Sequence, residues 1–245
     1  EETAGLAAMI DLRDAEPLAA LLDQPVAGAF TAELRLNGNT EGVGATLTLD
    51  AAELSYQDYA VRGAHIEAQT QVPEWPPDFE QDLRVRVTGS GTVLQAARAI
   101  ERELRVALDA QRQGERILIH ELTARDGNLD LNAQGTVEPQ AKTGELDAVL
   151  TVARLEEYAA IVDQEFSGAL SASAQVTTGA DRAVNGVVQA AWNQPGGLPE
   201  AAAAALGDQL KLDTNFSLRD AVLTLRNTTL SGAAFTARAE GTIHT

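Results

Sequence analysis

A mainly β fold, built of repeated antiparallel strands with a few short amphipathic helices, is predicted by three features of this sequence. Apolar and polar residues alternate with period two in many separate stretches, as they do in strands that bury one face. Clusters of Asn, Asp, Gly and Thr separate those stretches at the spacing of hairpin turns. The chain also repeats: "DQPVAGAF" at 23–30 returns as "DQEFSGAL" at 163–170.

The octapeptide is the most visible part of a longer internal match. At an offset of 140, Leu6, Ala8, Ile10 and Leu12 fall on Leu146, Ala148, Leu150 and Val152, and Phe30, Ala32 and Leu36 fall on Leu170, Ala172 and Val176. A second match, offset by 106, places 104–119 on 210–225 and "LNAQGTV" (131–137) on "ARAEGTI" (237–243). The offsets differ by 34 residues, so the first copy carries an insertion of about that length within 50–94. The chain therefore reads as two repeat units, 4–142 and 144–245. The insertion contains "AELSYQDYAVRGAHIEAQ" and the Pro-rich linker "VPEWPPDFEQ".

In chain order, the first strong strand has Val26, Gly28, Phe30, Ala32, Leu34 and Leu36 on one face and Thr31, Glu33 and Arg35 on the other. "NGNTEG" at 37–42 turns it into Val43, Ala45, Leu47 and Leu49. Similar alternation runs through Leu83, Val85 and Val87, then Leu129, Leu131 and Ala133, and later Leu210, Leu212, Thr214 and Phe216. "DGN" at 126–128 and "TTGADR" at 177–182 supply turns between them. Four short stretches read as helices of two or three turns: "DAEPLAALLDQ", "TVLQAARAIERE", "LEEYAAIVDQ" and "LPEAAAAALGD". Segments so short need to pack on the sheet to be stable. Gly28 and Gly168 mark points where a strand bends or lies close to its neighbour.

Composition narrows the functional classes. With 18 Lys and Arg against 36 Asp and Glu, the net charge is -18 and the pI is near 4.4. A phosphate backbone would be repelled, so neither nucleic acid nor direct docking on anionic lipid headgroups is expected. There are no cysteines, hence no disulfide framework and no thiolate metal site. No stretch is long and apolar enough for a helical membrane span. Aromatic residues make up only 4% of the chain, against a 44% hydrophobic share rich in Ala, Leu and Val. That composition suits thin repetitive layers and argues against an outer-membrane barrel with aromatic girdles.

No constellation carries catalytic chemistry. His65, His120 and His244 are in no metal-binding spacing and read as solvent-facing strand residues. Acidic pairs such as Glu156 with Glu157 fall on polar faces, and "DGNLD" lacks the spaced ligands of a calcium loop. There is no serine elbow and no phosphate loop. The expectation is a non-enzyme with no cofactor and no metal.

"GLAAMIDLRDAEPLAALLDQPVAGAFTAELRLNG", "VGATLTLDAAELSYQDYAVRGAHIEAQ" and "LRDAVLTLRNTTLSGAAFTARAEGTI" share a strand grammar. Its marks are a strand ending L-x-G, the pair Y-x-D-Y-x-V-R at 56–62, and closing strands A-x-G-T-V/I at 133–137 and 239–243. In these marks the chain resembles the repeat region of TamB-like proteins within the AsmA-like group. The resemblance implies an elongated antiparallel sheet curled like a taco or half-tube around an apolar lining. It also implies a periplasmic location with an inner-membrane tether in the full-length protein, an Omp85-type (TamA-like) outer-membrane barrel as partner, and a part in phospholipid transport or outer-membrane protein assembly. Without the family's anchor and terminal domain, the sequence reads as an internal fragment.

A single-sided sheet must cover its apolar face at about 25 cal/mol per Å². On that ground the expected site is a groove for lipid or an outer-membrane protein client, lined by Phe30, Leu34, Leu36, Leu47, Leu49, Leu170, Val176, Leu212 and Phe216. The same residues could instead meet each other or the helix stripes in a closed sandwich. A second functional reading is a structural spacer or interaction scaffold whose edge strands pair with a client strand.

Overall fold

The computed structural model describes residues 4–13, 26–39, 42–56, 59–72, 83–95, 98–159, 165–181 and 183–244. It is mainly β and antiparallel, as the alternation predicts. Contacts divide the chain into two compact units, Glu1–Asp126 and Gly127–Thr245. The spatial division therefore precedes the boundary between sequence repeats.

The first unit is a meander of β1 (Ala4–Leu12), β2 (Val26–Asn39), β3 (Gly42–Tyr56), β4 (Tyr59–Val72), β5 (Leu83–Gln95), β6 (Arg98–Gln113) and β7 (Arg116–Arg125). Each strand pairs antiparallel with its neighbour in sequence. The second unit repeats the plan with β8 (Leu129–Glu138), β9 (Thr143–Val152), β10 (Ser167–Thr178), β11 (Val184–Gly196), β12 (Gln209–Arg219), β13 (Val222–Ser231) and β14 (Thr236–His244). Two short helices are described, α1 (Glu156–Ala159) and α2 (Glu200–Leu206).

The helix expectations divide. "LPEAAAAALGD" forms α2, entered through Pro199 and closed by Gly207, whose N–H donates to Ala203 O. The Ala205 and Leu206 carbonyls at its C-terminus accept from Ala234 and Ala233 in the turn before β14. Within "LEEYAAIVDQ" the helix covers Glu156–Ala159, and 160–164 lie outside the described residues. "DAEPLAALLDQ" and the linker at 73–82 also lie outside them. "TVLQAARAIERE" is not a helix: it ends β5 and begins β6. Its Ala-rich composition favours helix, but Leu104, Val106 and Leu108 continue a period-two pattern that pairs with Gly91, Gly89 and Val87. Ladder pairing outweighs a propensity difference of a few tenths of a kcal/mol per residue.

The sequence repeat reappears as hydrogen-bond register. In β1–β2 the partners are Leu6↔Leu36, Ala8↔Leu34, Ile10↔Ala32 and Leu12↔Phe30. Adding 140 gives Leu146↔Val176, Ala148↔Ala174, Leu150↔Ala172 and Val152↔Leu170, which are the partners in β9–β10. The offset of 106 likewise turns Ala110↔Ile119 and Arg112↔Ile117 of β6–β7 into Phe216↔Leu225 and Leu218↔Leu223 of β12–β13. Between the matched ends the first copy holds β3, β4 and β5 where the second holds β11 alone. The inserted 34 residues thus amount to one β-hairpin.

Both octapeptide glycines sit at a bulge and have positive φ, 123° at Gly28 and 108° at Gly168. A Cβ on Gly28 would collide with the Glu53 carbonyl, and one on Gly168 with the Asn193 and Gln194 carbonyls. The repeated motif therefore specifies a close backbone crossing, for the conformational and steric reasons that select glycine.

No large side chain among the described residues is fully buried; the buried apolar residues are Ala32, Ala51, Ala64, Ala133, Val152 and Ala183. Coverage within each unit comes from neighbours on the same face. Two outcomes follow. Gly28→Ala should destabilise the chain by about 2 kcal/mol through strain and collision, while Gly63→Ala, at φ 59° with open space around it, should cost about 1 kcal/mol; denaturant unfolding midpoints check the order. Deleting residues 50–83 should leave a strand-rich chain, because Leu49 then precedes Arg84 and the apolar-polar alternation continues. Deleting 50–82 joins two residues of the same face and should give loss of cooperative unfolding or aggregation, read by circular dichroism and light scattering.

Candidate functional site: an open apolar sheet face

Cross-strand partners share a face, so the register shows which side chains stand together. In the first unit Leu34 of β2 lies opposite Leu47 of β3, Ala32 opposite Leu49, Leu36 opposite Ala45 and Phe30 opposite Ala51. The five sequence-predicted residues of this unit, Phe30, Leu34, Leu36, Leu47 and Leu49, thus form one patch on two adjacent strands. The face continues through Ile66 and Ala68 of β4, Val85 and Val87 of β5, Leu104, Val106 and Leu108 of β6, and Ile119 and Leu122 of β7.

In the second unit Leu170 and Val176 stand on β10, and Leu212 and Phe216 on β12, separated by β11. They share one face through the rows Leu170–Trp192–Leu210, Ala172–Ala190–Leu212 and Val176–Gly186–Phe216. A Cβ on Gly186 would meet the Phe216 ring, so the ring lies over β11 and reaches towards β10. Trp192 was not picked out by alternation. Its indole N–H donates to Ser167 O at 2.8 Å, tying the apolar face to the bulge at Gly168. Thr214 and Thr228 join on this face through their hydroxyls at 2.6 Å, where the first repeat has Leu108 opposite Leu122.

Within its own unit the face is not sealed by another described element. Leu47 is 41% exposed, Ile66 38% and Val106 41%, and Leu6 and Ile10 of β1 are more exposed still. Of the two described helices, α1 lies beside β10 and α2 beside β11, where α2 also bonds the turn before β14. Within either unit, neither the helix-sealed nor the sandwich arrangement forms among the described residues.

The opposite face is polar and internally paired. Arg84 binds Asp109 with two hydrogen bonds, 2.8 and 2.6 Å, and Arg86 adds a third at 3.1 Å. The hydrogen bond from Arg84 holds the Asp109 carboxyl far below the usual carboxylate range, against the opposing effect of desolvation and with further help from Arg86. His65 Nδ1 lies 2.6 Å from Asp50 Oδ1, beside an open depression of about 390 Å³ also bordered by Asp11 and Thr31. His120 meets Gln111 at 3.2 Å. Another depression of about 530 Å³ lies among Ser171, Ser173, Gln189, Lys211, Asp213 and Thr229. No metal-binding group of His, Asp or Glu forms among the described residues. Asn128 ties the "DGNLD" turn to the chain leaving β9, its side-chain oxygen accepting from Arg154 N–H at 2.7 Å and its side-chain N–H donating to Arg154 O at 2.8 Å.

Comparison with family models, curated proteins and solved structures finds no match in any of the three.

Asp109 carries a pH dependence. Its proton is held more weakly in the folded chain than in the unfolded one, so the stability it contributes is present above the unfolded value near 3.9 and is lost as pH falls below it. Urea midpoints of the native chain should drop more steeply below about pH 4 than those of Asp109→Asn, which should also start lower at pH 7.

Proposed function

We propose that the chain is a β-groove segment of a TamB-like protein, shielding lipid acyl chains or nascent outer-membrane protein strands between the two membranes and so supporting outer-membrane biogenesis. The observation that carries this reading is the apolar face left open in each unit by the described residues, continuous over successive strands and bearing exposed Leu, Ile and Val. An acyl methylene gains about 0.8 kcal/mol when fully buried. A chain laid across several strands therefore gains enough to leave water for such a face. In the full-length protein this segment would stand in the periplasm, tethered to the inner membrane, with an Omp85-type barrel at the outer membrane.

A scaffold reading rests on β1. Among the described residues it pairs only with β2, and Leu6, Met9 and Ile10 expose apolar side chains on both its faces. Such an edge accepts a client strand by backbone pairing.

Leu34→Arg separates the two readings. It puts a charge into the β2–β3 patch opposite Leu47 and should lower co-purifying phospholipid, counted by mass spectrometry, at least tenfold, because an unpaired charge against an acyl chain is costly. Photo-crosslinking of client peptides at β1 should be unaltered. Lipid loading that survives Leu34→Arg removes the groove assignment, and crosslinks confined to β1 favour the scaffold.

A further inference from the structure

On the apolar faces of the two units, following the register strand by strand, the only charged residues with described side chains are Arg102 and Arg112. Both are on β6 and both are cationic, in a chain with twice as many acidic as basic residues. They bracket the run Leu104, Val106, Leu108 and Ala110. Arg102 stands opposite Val93 and is half-buried; Arg112 stands between Leu83 and Ile117 and is exposed at the β6–β7 turn, where its Nε donates to Gly114 O at 2.9 Å.

We infer that β6 binds an anionic phospholipid, with an acyl chain lying along the strand and the headgroup phosphate held by Arg102 or Arg112 at one end. The inference rests on the acyl-chain reading above and names the headgroup that reading leaves open. Dimensions agree with it. At about 3.3 Å per residue the apolar run from Leu104 to Ala110 spans about 20 Å, and half the hydrocarbon core of a bilayer is about 15 Å. Charge argues in the same direction. Every Asp and Glu whose side chain is described in these strands stands on the polar face or at a turn, so among the described side chains the charges on the apolar face are cationic. A guanidinium also offers a phosphate two parallel donors.

The test incubates the chain with vesicles of equal phosphatidylglycerol and phosphatidylcholine of matched acyl chains, re-isolates it, and counts bound lipid by mass spectrometry. Native protein should enrich phosphatidylglycerol about fivefold or more, the effect expected of a basic residue near an anionic headgroup. The double variant Arg102→Gln with Arg112→Gln should bring the ratio near one, the corresponding double Lys variant should keep much of it, and Arg105→Gln on the polar face should leave it unchanged. Excess glycerol phosphate, which has the headgroup but no chain, should not displace the lipid. Should the double Gln variant lose its strand signal in circular dichroism, Arg102→Gln and Arg112→Gln taken singly decide: at least one of them should halve the ratio, and neither doing so overturns the inference. Native protein that takes up both lipids equally, or variants that keep the preference, would overturn this inference while leaving the acyl-chain reading standing. Native protein that takes up neither lipid overturns both.

Discussion

Side-chain parity is the constraint on which this molecule depends. In a single-layer antiparallel sheet each residue belongs to one of two faces, and each cross-strand pair passes that assignment to the next strand. One unmatched residue inverts everything beyond it. The chain keeps its apolar residues together across seven strands in each unit because its bulges come in compensating places. Ala52 on β3 faces Gly63 on β4, and the extra residue in each lets Leu54 and Val61 rejoin the face that Ala51 and Ala64 occupy. The glycines with positive φ at Gly28, Gly63 and Gly168 are the backbone means by which the face is kept.

The same constraint decides how much was legible in the sequence. Where alternation is unbroken, as in Val26–Leu36 or Thr143–Val152, both strand and face follow from the residues, and the nine predicted lining positions fall on the apolar face of their own unit. Where a bulge intervenes, simple alternation misassigns: Val61 is odd-numbered and Ile66 even-numbered, yet they share a face. The start of β6 was hidden by its Ala-rich composition, because a helix and a strand compete there on nearly equal local terms and only β5 decides between them. Trp192 was missed because Pro195 and Gly196, residues disfavoured inside strands, follow it closely, yet β11 runs on to Gly196. Whether another layer covers an apolar face depends on partners beyond the strand itself, and no local pattern encodes that.

Charge is distributed to match. An open apolar face invites self-association, and a net charge of -18 opposes it by repulsion between copies. Most ion pairs on the polar face, such as Arg35 with Glu33 and Arg62 with Glu53, are substantially exposed and contribute little to stability. The Arg84–Asp109–Arg86 group differs because the carboxylate is 14% exposed and receives three donors. It ties β5 to β6 on the polar side of the strand whose apolar side carries Arg102 and Arg112, so the two sides of β6 are electrostatically unlike.

The extra hairpin in the first repeat has a consequence for size. Neighbouring strands lie about 4.8 Å apart, so one hairpin adds about 10 Å of sheet in the direction perpendicular to the strands. A single added strand would reverse the chain direction and leave the following matched strands running the wrong way; a pair leaves them as they were. Growth by duplication and insertion in such a molecule is therefore quantised, in steps of about 10 Å, and each step lengthens the apolar surface without redesign of what precedes or follows it. Spanning a fixed gap then becomes a matter of counting hairpins.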